Sequence, residues 1–245
     1  MVAQFVLLAL ICLLQVATPP DDGDDEREAS SRTIVVDRFE EHPVDGSPLG
    51  WKYIYEGREL REVPPEPDND REYFVIKKEK DGNRFVRAYT EGEATSIIRV
   101  NGEDFEWNLD EHPRLRWRWR ARELPKDASE REEDRNDAGG AVYVTFSRDW
   151  LGRPKSIKYT YSSTLPVGTV VSYGRLRVLV VDSGREKTGK WKQVERNVIN
   201  DYRQVFGGDP PDKPLSIALW SDSDSVPDGK AEVDFDDLVL LPPRR

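Results

Sequence analysis

Five arginines recur at every second position from Arg114 to Arg122, separated by Leu115, Trp117, Trp119 and Ala121. A guanidinium presents a planar fork of donors that fits a carboxylate, so Arg116, Arg118 and Arg120 are candidate ligands for an acidic sugar such as a uronic or sialic acid. The plainer expectation, and the preferred one, is electrostatic. Like charges along one strand face repel unless neighbouring strands supply acids, and cross-strand ion pairs would answer that at about 0.2 to 1 kcal/mol each. Aromatic rings are the second resource. Trp51, Trp107, Trp150 and Trp220 fall in or beside expected loops and strand ends, where a flat ring can stack on a sugar, although large rings usually satisfy burial first.

Catalytic patterns are scarce. His42 and His112 are the two histidines, each directly before a proline, and there is no Gly-x-Ser-x-Gly elbow, phosphate loop or His-Glu-x-x-His pair. A nucleophilic triad or zinc centre is therefore not expected. Glycoside hydrolysis by carboxylates alone stays open as an alternative, since it needs two acids about 5 to 9.5 Å apart in a groove. Asp222-Ser223-Asp224 is not an EF-hand loop, because Val226 and Asp228 break the ligand spacing and no helices flank it.

The elements that would position these residues are strands. Strict alternation over Arg114–Arg122 puts the apolar residues on one face and the arginines on the other. Each buried Trp contributes roughly 4 to 6 kcal/mol as an upper estimate from its area. Strand-like runs are also expected at 33–36, 51–55, 73–77, 84–89, 96–100, 141–146, 156–161, 169–173, 175–181, 214–220 and 231–240. Lys80-Asp81-Gly82-Asn83 reads as a hairpin turn. The stretch from Glu62 to Arg71 is a surface loop. Lys126 to Asp137 is expected as a long exposed loop and a candidate lid. Trp191 to Phe206 carries helical spacing, firmest over Asn200–Phe206 and stopped by Gly207-Gly208, while Lys190–Val198 fits a strand equally well. Many short strands, Gly- and Pro-rich turns and one short helix near the C-terminal third describe an all-β fold, a jelly-roll-like antiparallel β-sandwich.

Composition bounds the setting. Of 245 residues, the apolar run Phe5 to Ala17 followed by Thr18-Pro19-Pro20 reads as a signal peptide over 1–17, although Met1 to Gln4 lack a basic residue. An uncleaved anchor is the rival, but about thirteen apolar residues are short for a span. An acidic linker over 18–32 is too polar to join a core, leaving a single sandwich domain over 33–243, and a monomer is expected. The single cysteine, Cys12, lies in the leader, so the exported chain would hold no disulfide. A net charge of -10 argues against nucleic acid and against an anionic membrane surface as partners.

Three stretches carry a resemblance: Leu115-Arg116-Trp117-Arg118-Trp119 with Leu124-Pro125; Trp191, Glu195-Arg196, Asp201-Tyr202-Arg203 and Phe206-Gly207; and Ser221-Asp222-Ser223-Asp224 with Asp234 to Leu238. Together they resemble the bacterial domain-of-unknown-function family 3047, over nearly all of the chain after its leader. That implies an exported, periplasmic or cell-surface domain with no assigned chemistry. One departure is Asn136-Asp137-Ala138-Gly139-Gly140, where the family carries an acidic pair and an arginine. A looser likeness is to carbohydrate-binding jelly rolls of the galactose-binding type, whose first and last strands, like Phe39-Glu40 and Asp236-Asp237-Leu238 here, meet and hold a structural calcium. By that likeness Asp37, Glu40 and Asp237 are the expected calcium ligands, an all-oxygen set suited to a hard cation. The functional expectation is an exported, noncatalytic module binding an acidic or neutral glycan through Arg116, Arg118, Arg120, Trp51 and Trp150. A carboxylate-dependent hydrolase and a purely structural envelope protein are the alternatives.

Overall fold

The structure is a computed structural model describing residues 32–57, 59–185 and 188–244. The expected leader, and all of the acidic linker except Arg32, lie outside the described residues. In chain order the elements are β1 (Ile34–Asp37), β2 (Lys52–Tyr55), β3 (Glu59–Glu62), β4 (Glu72–Lys78), β5 (Arg84–Glu91), β6 (Ala94–Val100), β7 (Arg114–Glu123), β8 (Gly140–Arg148), β9 (Pro154–Ser162), β10 (Val170–Tyr173), β11 (Leu176–Ser183), β12 (Lys192–Asn197), α1 (Val198–Phe206), β13 (Ser216–Asp222) and β14 (Lys230–Leu241). Among the described residues no helix is long and apolar enough to cross a membrane.

Alternation of basic and apolar residues becomes β7, and its side chains divide as a two-residue period requires. Leu115, Trp117, Trp119 and Ala121 are buried to within 1% exposure. β7 sits between β12 and β14 in a six-stranded sheet of order β12-β7-β14-β5-β4, with β1 added antiparallel to the end of β14. The second sheet has eight strands in the order β10-β11-β9-β8-β13-β6-β2-β3. One ladder between the described strands, β9 with β11, is parallel and the others are antiparallel. The sheets meet through aromatic rings. Trp117 and Trp119 pack edge to face at 5.5 Å, and each leans on a tyrosine from β9 of the opposite sheet, Tyr159 at 5.7 Å and Tyr161 at 5.4 Å. The result is the expected jelly-roll-like β-sandwich.

Local signals account for most boundaries. The Asp81-Gly82 turn closes the β4–β5 hairpin, with Glu79 N–H donating to Asn83 O and Gly82 at φ 103°. Of the stretch with helical spacing, Lys192–Asn197 pairs with β7 instead, because its own alternation matches that strand. Asn197 caps α1 by accepting from Asn200 N–H at 3.0 Å, and Gly207, at φ 71°, ends it. β3, an exposed partner of β2, has no apolar alternation and was not expected.

The segment 126–137 departs from expectation. It is not exposed throughout: Ala128, Glu130 and Asp137 are buried. Its charges are accommodated by donors. Glu130 accepts from the Ser162 hydroxyl at 2.6 Å, and Asp137 accepts the backbone N–H groups of Ser225 and Val226, both at 2.9 Å. A count of charged residues reads such a segment as solvated, but hydroxyls presented by β9 reverse that outcome.

Candidate functional site

The arginines of β7 point away from the core onto the outer face of the six-stranded sheet, and acids from β14 and its neighbours meet four of the five. Fully buried Asp234 takes three guanidiniums: Arg87 at 2.7 Å, Arg120 at 2.7 Å and Arg122 at 2.8 Å. Arg118 pairs with Asp236 and, at 2.9 Å, with Asp237, while Arg114 reaches Glu195 at 2.7 Å. Trp191 covers Arg118 and Arg120, its ring 5.1 and 4.5 Å from their guanidinium carbons. Burial pushes the Asp236 carboxyl up to about 6 despite the donors Asn83 and Arg118. Arg116 alone of the five has no acidic partner among the described residues. The geometry is that of the ion-pair ladder: all three nitrogens of Arg120 are bonded to Asp234 and Glu79, and Arg118 spends Nη2 on Asn83 and Asp236.

Among the described residues, Asp37, Glu40 and Asp237 do not form a group whose ligand oxygens all lie within 4.8 Å of one another. Asp37 is spent on protein donors: Phe39 N–H at 2.8 Å, the Trp51 indole at 2.8 Å and His42 Nε2 at 2.9 Å. Burial raises its carboxyl, but these hydrogen bonds outweigh that and hold it below the usual range. His42 Nδ1 accepts from Leu49 N–H at 3.0 Å, so the proton sits on Nε2 and is donated to Asp37. Glu40 accepts from Arg84 N–H, and Asp237 faces Arg38 and Arg118. Trp51, the ring partner of Asp37, is fully buried, as is Trp107, so both belong to the core. Trp150 is 88% exposed on the β8–β9 turn, which Asp149 organises by accepting from Leu151 and Arg153 N–H. Trp220 is half-buried beside Tyr143, ring centroids 5.5 Å apart. These residues stay dispersed.

Concavity lies elsewhere. A cleft of about 1040 Å³ opens where β4, the edge of one sheet, stands beside β6 and β2 of the other, and the loop 63–70 forms its wall. Tyr53 and Tyr73, both half-buried and the latter with its ring stacked on Tyr89 at 5.1 Å, line it, while Ser47, Asp68, Asn69, Asp70, Glu72 and Thr95 bring hydroxyl, amide and carboxylate groups. Asp45 and Glu66 also line it, and among the described residues Lys77 is its one cation, already paired with Asp45 at 2.8 Å. The wall is held in place. Val63 N–H donates to Trp51 O, Ser47 N–H to Pro65 O, and Arg71 clamps Glu91 O through two nitrogens. Burial, then the neighbouring charge of Glu93, raises the Glu72 carboxyl, which accepts from Asn69 at 3.2 Å. None of the residues expected to bind ligand or metal lines this cleft. Its wall is the acidic, proline-rich loop, whose composition alone gives no hint of which strands it will face.

One further group of acids comes together. Asp137, Asp222 and Asp224 each offer an oxygen within 4.8 Å of the others. Burial pushes Asp222 up to about 6; Lys158, 3.8 Å away, opposes this, and Asp137 and Asp224 reinforce it. The Trp220 indole also lies near Asp222, yet by geometry its Nε1 has no hydrogen-bond partner among the described residues.

Residues 64–239 match the family described as protein of unknown function (DUF3047), and the chain belongs to that family. No curated protein matches the sequence. Solved structures with a similar chain path include a family 30 carbohydrate-binding module of a cellulosomal cellulase of Clostridium thermocellum (12% identity, 87% of this chain and 99% of that one, TM-score 0.46). A Caldicellulosiruptor saccharolyticus CBM27-1 in complex with mannohexaose is 13% identical over 87% of this chain and 99% of its own, at a TM-score of 0.40. A putative glycoside hydrolase from Bacteroides thetaiotaomicron is 12% identical over 87% of this chain and 72% of its own, also at 0.40.

Proposed function

We propose that this member of family DUF3047 is an exported, noncatalytic carbohydrate-binding module that takes a neutral glycan in the cleft between β4, β6 and β2. The observation that carries the reading is the chemistry of that cleft: two tyrosines, one already stacked on Tyr89, among hydroxyl, amide and carboxylate groups around about 1040 Å³ of open space. Sugars offer a C–H face to a ring and a ring of hydroxyls to acceptors, and that mixture suits them better than a purely apolar ligand. The sign of charge narrows the class. Five acids against one paired lysine repel uronic and sialic acids. The fixed wall favours binding without a large ordering cost. Support for export comes from the apolar run Phe5 to Ala17.

Calorimetric titration of the full chain with a panel of neutral oligosaccharides tests the site. Tyr53→Ala and Tyr73→Ala are each expected to weaken binding about tenfold, the order of one aromatic contact, and Trp150→Ala to leave it unchanged. A panel with no binder, or a binder lost only in Trp150→Ala, would overturn the assignment. Release of new reducing ends from the bound oligosaccharide would make the cleft acids catalytic instead.

A further inference from the structure

β13 ends at Asp222, whose side chain shares a face with Trp220 two residues earlier. The turn that follows folds around Asp137, which accepts the N–H groups of Ser225 and Val226. Gly229 permits that turn, since a β-carbon there would stand 2.2 Å from Ser223 O. Three carboxylates from two distant segments are thereby held with oxygens within 4.8 Å of one another. Asp137 is fully buried, Asp222 is 6% exposed, and Asp224 faces solvent, leaving one side open.

A second observation points to something these acids lack. Asp222 Oδ1 is buried with no hydrogen-bond partner among the described residues. Lys158 does not fill the role: its Nζ stands 3.8 Å from the other oxygen, Oδ2, beyond hydrogen-bond length. Lys158 is also shared, lying 5.6 and 5.8 Å from the Tyr143 and Trp220 rings and within the field of Glu130. One ammonium therefore faces several carboxylates, and excess negative charge stays confined in a poorly hydrated place. An anionic, all-oxygen set with one wet side matches a hard divalent ion, and calcium accepts irregular geometry where magnesium demands a near-ideal octahedron and keeps its waters.

We propose that Asp137, Asp222 and Asp224 form a calcium site that ties the segment 126–138 to the turn between β13 and β14. It shares no residue with Asp37, Glu40 and Asp237, and none with the glycan cleft, so it stands or falls apart from the binding reading. The full chain, stripped with a chelator and dialysed, is melted with and without calcium and titrated with terbium under tryptophan excitation. At about one hundred times the dissociation constant, calcium should raise the midpoint by about 5 °C or more. Terbium should show sensitised emission that Trp220→Phe largely abolishes while leaving the calcium response intact. Asp222→Asn should remove both signals. Asp224→Asn, at an exposed position, should weaken them at least tenfold in a chain that still folds, so a misfolded Asp222→Asn would not rescue the idea. Absence of both responses in the wild type, or responses that survive Asp224→Asn and vanish in Asp237→Asn, would overturn the site.

Discussion

Trp119 shows at the scale of one residue how a rhythm in sequence becomes energy. Its ring is fully buried and touches Trp117, Tyr161 and Phe235, which come from three different strands. Trp119→Ala should therefore cost about 3 to 5 kcal/mol in guanidinium unfolding. Arg116→Ala, one face away and without an acidic partner among the described residues, should stay within about 0.5 kcal/mol. Similar losses in both variants would mean that the two faces of β7 are not divided as described. Asp236 allows a second test. Its carboxyl is raised to about 6 by burial, so the folded chain holds that proton more tightly than the unfolded one. Stability from this group is consequently lowest above pH 6 and grows as the pH falls through 6 toward the ordinary carboxylate range. Between pH 7 and pH 5 the gain is about 1 kcal/mol. Asp236→Asn should lack that increment in urea titrations at the two pH values, even if its absolute stability shifts through the loss of Arg118's partner. An equal gain in wild type and variant would refute the assignment.

Elements were readable wherever a single strand or turn carried its own signal. The alternation of β7, the Asp81-Gly82 hairpin and the glycine stop after α1 are all local, and each appears where the residues imply it. What local pattern leaves open is partnership. Lys192–Asn197 reads as helix or strand until β7 is present to pair with it, and the segment 126–137 reads as solvated until β9 offers Ser162 and Thr160 to Glu130. Trp51 and Trp150 look alike in sequence, both beside turns. Only Asp37, fourteen residues from Trp51 along the chain, supplies the acceptor that draws that indole inside. The cleft was illegible for the same reason, because it lies between strands of different sheets. The cap on α1 is a case in which local chemistry is sufficient. Asn197→Ala removes the acceptor for Asn200 N–H and should lower stability by about 1 kcal/mol, or roughly 2 to 4 °C in a melt. An unchanged midpoint would mean that packing of Tyr202 against Phe146, at 4.7 Å, holds the helix without its cap.

At the scale of the whole molecule, charge decides what can approach. The chain carries -10 overall, and four of the five β7 arginines that could have made one face basic are neutralised by Asp234, Asp236, Glu195 and their neighbours. Long-range steering therefore works against anionic polymers, and the acidic cleft adds a short-range penalty. Both effects are screened as the Debye length contracts from about 10 Å at 0.1 M salt to about 3 Å at 1 M. A neutral oligosaccharide gains nothing from either field, so its affinity should change less than about twofold across that range. A polyuronate should bind poorly at low salt and no better than weakly at high salt, with affinity rising as salt is added. The opposite trend, a polyuronate held best at low salt, would be the signature of guanidinium recognition. It would move the binding surface from the cleft to the outer face of the six-stranded sheet, where Arg116 is the arginine of β7 without an acidic partner among the described residues.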